Sequence, residues 1–156
     1  MNFGEELITA FYTSFANRDA EGMIACYHPQ VTFSDPVFKQ LNAEQTFAMW
    51  RMLVGRAADI HIDFSDVHAD EKTGSAHWDA SYVFSRTGRK VVNRIDAQFV
   101  FKDAKIIKHQ DSFDFWTWSR QALGPAGALL GWTPLLQSRV SKGARASLDQ
   151  VMKKTL

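Results

Sequence analysis

The hydrophobic period of this chain changes once along its length, and that change limits the fold more than any other feature. Phe3, Leu7, Phe11 and Phe15 recur every four residues, with Ile8 and Tyr12 beside them, which predicts an amphipathic first helix. A second helix restarts at Asp19, a residue suited to an N-cap, and is expected to end before Pro29. "VTFSDPVF" reads as a short strand that turns at Asp35-Pro36. In "NAEQTFAMWRMLVGR", Asn42 and Gln45 form a capping box ahead of a stripe of Phe47, Trp50 and Val54. From Ile60 onward the period is two: Ile60, Ile62 and Phe64 alternate with His61, Asp63 and Ser65. Three more stretches of strand character follow, "SAHWDASYVFS", "RKVVNRIDAQFVF" and "KIIKHQDSFDF". Helices followed by consecutive strands with short turns imply an α+β fold in which helices cover one face of a curved antiparallel sheet.

Register decides which polar side chains face the helices, because a slip of one residue exchanges the two faces of a strand. A hairpin with Thr87-Gly88 at its tip pairs Phe84 with Val91, Tyr82 with Asn93, Ala80 with Ile95 and Trp78 with Ala97, which collects one mostly apolar face. His77 and Asp79 then lie on the polar outer face. For the next turn, "KDA", a three-residue loop with a bulge pairs Phe99 with Ile107 and Ala97 with His109. A two-residue loop would bury Lys108 and Gln110, which is costly. His109 and Asp111 are therefore expected to point inward, about 7 Å apart along the strand, with Asp114 outward. That gap suits a substrate or water bridging the two better than a direct bond.

Composition sets the class. One domain of 156 residues can bury a sizeable core, and the 13% aromatic share suggests a large cavity or interface in addition. A net charge of +1 provides no global field for nucleic acid. The lone Cys26 excludes a disulfide framework and reads as a small buried apolar residue. The five histidines have no metal-ligand spacing and no phosphate-binding glycine loop is present, so neither metal nor cofactor is expected. No run reaches the roughly 18 apolar residues of a membrane span. The opening "MNFGEELITAF" has acids where a signal peptide carries bases, so a cytoplasmic location is expected.

The segments "RDAEGMIACYHPQVTFSDPV" and "FVFKDAKIIKHQDSFD" resemble the nuclear transport factor 2-like superfamily. The likeness is to its SnoaL-like and ketosteroid-isomerase-related branch, and runs from about Phe3 to Phe115. The resemblance implies a cone-shaped domain over residues 1–115, and commonly a homodimer. Carried over residue by residue, the isomerases' base matches Asp35, while their oxyanion tyrosine falls at Phe11, with Tyr12 one residue off. Their second oxyanion acid falls at Ala97. Losing both donors argues against steroid isomerase activity, since one such donor is worth about 3 kcal/mol. The epoxide hydrolases' Arg-x-Asp corresponds to His77-Trp78-Asp79, which lacks the arginine, but their last-strand acid matches Asp111. The SnoaL-type cyclases use an inward last-strand aspartate as a proton shuttle, and Asp111 fits that role.

The expected catalytic set is thus Asp111 and His109, against a buried carboxylate satisfied by His109, Asn93 or a backbone group and a structural histidine, with Asp35 either a base or a turn cap. Asn93, Tyr82, Trp78, Trp50, Phe99, Phe113 and Tyr12 are expected to line the pocket, although plain core packing competes for each aromatic. The expected activity is cofactor-independent proton transfer on a small hydrophobic carbonyl or polyketide-like compound. The alternatives are a non-catalytic carrier of small hydrophobic ligands and an assembly module.

Residues 116–156 extend beyond the usual end of such a domain. Trp116 to Leu123 can start a helix that Gly124-Pro125 breaks, and a last helix follows Pro134 with Leu136, Val140, Ala144 and Leu148 on one stripe. From Pro134 on, five cations (Arg139, Lys142, Arg145, Lys153, Lys154) oppose only Asp149, a surplus of four that leaves −3 on the rest. The stripe is expected to pack on the same domain or on a dimer partner, with the basic face solvated. Contact of that face with an anionic membrane is the alternative.

Overall fold

The computed structural model describes residues 1–56 and 59–154. In chain order the elements are α1 (Phe3–Ala16), α2 (Ala20–Ile24), β1 (Tyr27–Ser34), α3 (Ala43–Arg56), β2 (His61–Ala69), β3 (Thr73–Phe84), β4 (Arg89–Lys102), β5 (Lys105–Ser112), α4 (Phe115–Leu123), α5 (Pro125–Leu130) and α6 (Pro134–Lys154). The five strands form one sheet in the order β1-β5-β4-β3-β2. Helices α1 and α3 cover its inner face, so the fold is the α+β cone that the switch of period implies.

Caps start the helices where the sequence places them. Asp19 Oδ1 accepts from the Gly22 amide at 2.9 Å. Asn42 and Gln45 exchange two side-chain-to-amide bonds, each 2.9 Å, closing the capping box. Helix α2 ends at Ile24, earlier than the proline suggested, and β1 already begins at Tyr27. Pro29 is tolerated inside that strand because the ladder to β5 is irregular between Tyr27 and Thr32, so no pairing donor is lost there. β1 runs parallel to β5, giving the otherwise antiparallel sheet one parallel pair at its edge.

Both hairpins differ in detail from expectation. The β3–β4 turn is a four-residue loop, Ser85 to Gly88, whose last pair is Phe84 with Arg89; Gly88 has φ +70° and its amide bonds the Phe84 carbonyl at 2.8 Å. Tyr82 therefore faces Val91, Ala80 faces Asn93, and Trp78 faces Ile95. The hairpin is centred one residue earlier than expected, which moves every pairing by two and keeps each side chain on its face. The β4–β5 turn has two residues, Asp103 and Ala104, both at positive φ (52° and 62°). The two-residue loop avoids burying Lys108 and Gln110 because the ladder shifts between Val100 and Phe101: Phe101 pairs with Ile106 and Val100 with Lys108, leaving Ile107 as the extra residue. Phe99 then faces His109 and Ala97 faces Asp111, again two residues from the expected pairing and on the expected face.

On the outer face, Asp79 pairs with Arg94 and His77 with Asp96. His77 bonds Asp96 through Nδ1 at 2.9 Å and Asp79 through Nε2 at 2.8 Å. The Asp96 bond leads in raising its pKa. Asp114 points away from the interior and caps α4, accepting from the Trp116 amide at 3.0 Å.

The C-terminal helices close the open side of the cone. Helix α4 packs on β4, with Val91, Phe115, Trp118 and Ala122 in a small second core. Gly124, at φ +67°, separates α4 from α5. A side chain at Gly127 would collide with the Ser119 carbonyl, so α5 lies flush against α4 only because that position is bare. Helix α6 packs on α3, and its Leu148 is fully buried in the main core. Thr155 and Leu156, the end of the expected extension, lie outside the described residues. Among the described residues no helix is long and apolar enough to cross a membrane.

Candidate active site

Beyond the extra residue Ile107, strand β5 turns His109 and Asp111 to the concave side, and both are buried, at 1% and 4% exposure. They touch directly: His109 Nε2 lies 2.8 Å from Asp111 Oδ1. Two residues along a strand would set their backbones about 7 Å apart, and the side chains lean toward each other to close that gap. No bridging molecule is needed, contrary to the sequence expectation.

His109 is the middle of a longer chain of hydrogen bonds. Trp50 Nε1 donates to the Tyr27 hydroxyl at 2.8 Å, and that hydroxyl lies 2.8 Å from His109 Nδ1. For a neutral imidazole, donor bookkeeping sets the direction. The indole can only donate, and the Tyr27 oxygen receives it. The single Tyr27 hydrogen then goes to Nδ1, and the imidazole hydrogen on Nε2 goes to Asp111. Phe11, Phe33 and Phe99 pack around the imidazole with ring centroids 5.5, 5.0 and 4.5 Å away, so it cannot turn freely. Burial pushes the Tyr27 phenol well above its usual range, with the Asp111 charge adding to it, so it stays a neutral donor.

Asp111 faces a cavity of about 320 Å³ between the sheet, α3, α4 and α6. With one oxygen held by His109, its other oxygen has no protein partner among the described residues. Asp35 lies on the same wall. The parallel ladder pairs Phe33 with His109 and ends with Ser34 opposite Gln110, and Asp35 follows directly on that last pair. The turn reading of Asp35 holds as well: its Oδ1 accepts from the amides of Val37 (2.7 Å) and Phe38 (2.6 Å). Burial above all, with a contribution from the Asp111 charge, raises its pKa to about 7 against the lowering effect of those two bonds. Two acids on one wall, one of them with a raised proton affinity, are the groups from which an acid–base pair can be made.

Asn93 is 8% exposed and also lines the cavity, and its carboxamide has no protein partner among the described residues. The Tyr82 hydroxyl accepts from Trp118 Nε1 at 2.8 Å, which leaves its own hydrogen available to a ligand. Trp50, Trp78 and Phe113 complete the expected wall. Phe99 and Tyr12 do not reach it. The two-residue shift of β4 sets Phe99 against His109, at the end of the sheet that α1 covers. Tyr12 is fully buried there beside Phe64, and its hydroxyl has no partner among the described residues. Ala97 faces Asp111 and offers it no polar side chain.

Sequence reasoning missed Tyr27. The available signal was its parity with Val31 and Phe33, which share its buried face, but ending the second helix at Pro29 hid it. Trp118 was missed as a partner of Tyr82, as were Arg56 and Arg86 at the cavity mouth. Among the described residues no three potential metal ligands cluster.

Residues 8–109 match the family model of the SnoaL-like domain. No curated protein matches the chain. Among solved structures, it is similar to a putative polyketide cyclase from a Silicibacter species, with 15% identity over 76% of this chain and 95% of that one, at a TM-score of 0.66. An LEH-like epoxide hydrolase of M. tuberculosis shares 17% identity over 82% and 95%, at a TM-score of 0.63. A nuclear transport factor 2-like protein from Burkholderia pseudomallei shares 16% over 73% and 92%, at a TM-score of 0.65. At these identities the likeness establishes the fold.

Proposed function

The chain belongs to the SnoaL-like family, and from that premise we propose that it catalyses cofactor-independent proton transfer on a small hydrophobic carbonyl or polyketide-like compound. The observation that carries this reading is the position of Asp111. One oxygen is fixed by a buried imidazole, and the residue lines a mostly apolar cavity.

In this reading a ketone lies in the cavity with an acidic C–H toward the free oxygen of Asp111. The carboxylate takes that proton, the electron pair of the broken C–H bond forms a carbon–carbon double bond, and the carbonyl π pair moves onto oxygen. Asp35 gives its proton to the carbonyl oxygen, a role suited to a carboxyl whose pKa is about 7. Asn93 and Tyr82 offer further hydrogens to the same oxygen. Return of the proton from Asp111 to carbon, at the same or a neighbouring position, and from the enol oxygen to Asp35 restores both acids. The relay from Trp50 through Tyr27 and His109 holds Asp111 in place; its members are positioning residues.

The test is exchange of the α-protons of aryl ketones and cyclic diketones in D2O, followed by NMR with no cofactor added. Exchange that depends on the protein supports the proposal. A ketone that binds, raises the melting temperature and exchanges no faster than in buffer returns the carrier reading.

A further inference from the structure

The charged residues on the cavity wall are sorted by depth. Asp35 and Asp111 lie on the strand side of the floor, while Arg56 and Arg86 are exposed at the rim. Arg56 ends α3 and Arg86 sits in the β3–β4 turn, so they approach the mouth from different elements. Neither makes a hydrogen bond or ion pair among the described residues, which leaves the five N–H donors of each guanidinium unspent. The Arg86 guanidinium rests over α6 at Gly143: a Cβ built there would lie 3.6 Å from its nearest nitrogen. Arg86 thus spans the opening toward α6, whose Val140, Ala144 and Ser147 form the adjoining wall. Asp59, next in sequence to the lining residue Ile60, accepts from the Val83 amide at 3.1 Å and among the described residues pairs with neither arginine.

This arrangement is a field directed along the cavity, negative at the floor through Asp111 while Asp35 holds its proton, and positive at the mouth, with apolar walls between. Resting on the reading of the cavity given above, we infer that its ligand is an amphipathic anion. The carboxylate-like head is held by Arg56 and Arg86, and the uncharged, carbonyl-bearing end is at Asp111. The floor repels the head group and the mouth attracts it, so the field also sets the direction of entry. A keto acid with an aromatic or alicyclic body is the matching substrate class, and a neutral ketone of the same body lacks the anchor.

The probes are anilinonaphthalenesulfonate, an anionic hydrophobe, and N-phenylnaphthylamine, the same body without the charge, titrated by fluorescence. The expected result is tighter binding of the anion, weakened about fivefold to tenfold by each of Arg56→Gln and Arg86→Gln and by added salt. The neutral probe should be indifferent to all three. Equal binding of the two probes, or anion binding that survives both substitutions, overturns the inference. Asp111→Asn separates it from the proton-transfer proposal, because that change should leave anion binding intact or tighten it. Charge-dependent binding without any proton exchange keeps the anchor and removes the catalysis. Exchange with no charge-dependent binding does the reverse.

Discussion

His109 Nε2 and Asp111 Oδ1 lie 2.8 Å apart on one strand, both shut away from solvent. A buried polar group that is hydrogen-bonded is tolerated, whereas the same group without a partner is expensive. The pair therefore keeps a carboxylate at the edge of an apolar cavity, where an isolated aspartate would be a liability. The remaining question is how far the rest of the chain is arranged to serve that one group.

Tyr27 gives the first answer, because its hydroxyl is bonded on both sides. Tyr27→Phe leaves Trp50 Nε1 and His109 Nδ1 buried without partners, and should cost about 2–4 kcal/mol in a urea titration. It should also lower the proton-exchange rate by about tenfold or more, through loss of the fixed imidazole. A variant as stable and as active as the parent would show that the relay is incidental.

The proton affinity of Asp35 predicts a pH signature. Its pKa is raised from 3.8 to about 7 in the fold, so the folded chain holds this proton more tightly than the unfolded chain. The resulting stability is fully present below the lower value and is lost as pH rises toward the upper one. Asp35→Asn keeps an acceptor for the Val37 and Phe38 amides and cannot titrate. Urea midpoints should show the parent losing stability relative to the variant as pH rises between those two values, and a constant difference above them. Parallel curves across that interval would contradict the burial of this carboxyl.

Ala104 is a small fault at a tight turn. It sits at φ 62°, beside Asp103 at 52°, in the two-residue loop joining β4 and β5. L-residues pay for that region and glycine does not, so Ala104→Gly should stabilise the fold by about 0.5–1 kcal/mol, less the extra entropy that glycine gives the unfolded chain. Chemical denaturation of the two proteins decides it. Destabilisation would mean that the turn has a different backbone.

The same turn shows how much of the fold is legible in the sequence. Alternation identifies the inward set on β3, β4 and β5 because mispairing by an even number of residues leaves every side chain on its face. Phe84, Tyr82 and Asp111 are therefore on the expected side although each has a different partner from the one foreseen. What alternation does not carry is position along the strand. The β3–β4 hairpin is centred on Arg86-Thr87, and the extra residue of β5 is Ile107, a bulge with no marker of its own in the sequence. That offset is what sets Phe99 against His109 and away from the cavity. Direct contact between His109 and Asp111 depends on side-chain lean, which strand spacing alone conceals. Tyr27 and Trp118 act across elements distant in sequence, and only the folded chain brings them to His109 and Tyr82.

The most direct measurement compares α-proton exchange by the parent and by Asp111→Asn, with the ketone's affinity determined for both. The account predicts that exchange falls by about a hundredfold or more while the affinity is unchanged, since the amide keeps the shape of the wall and loses only the base. Equal exchange by the two proteins would contradict it and place the chemistry, if there is any, elsewhere in the molecule.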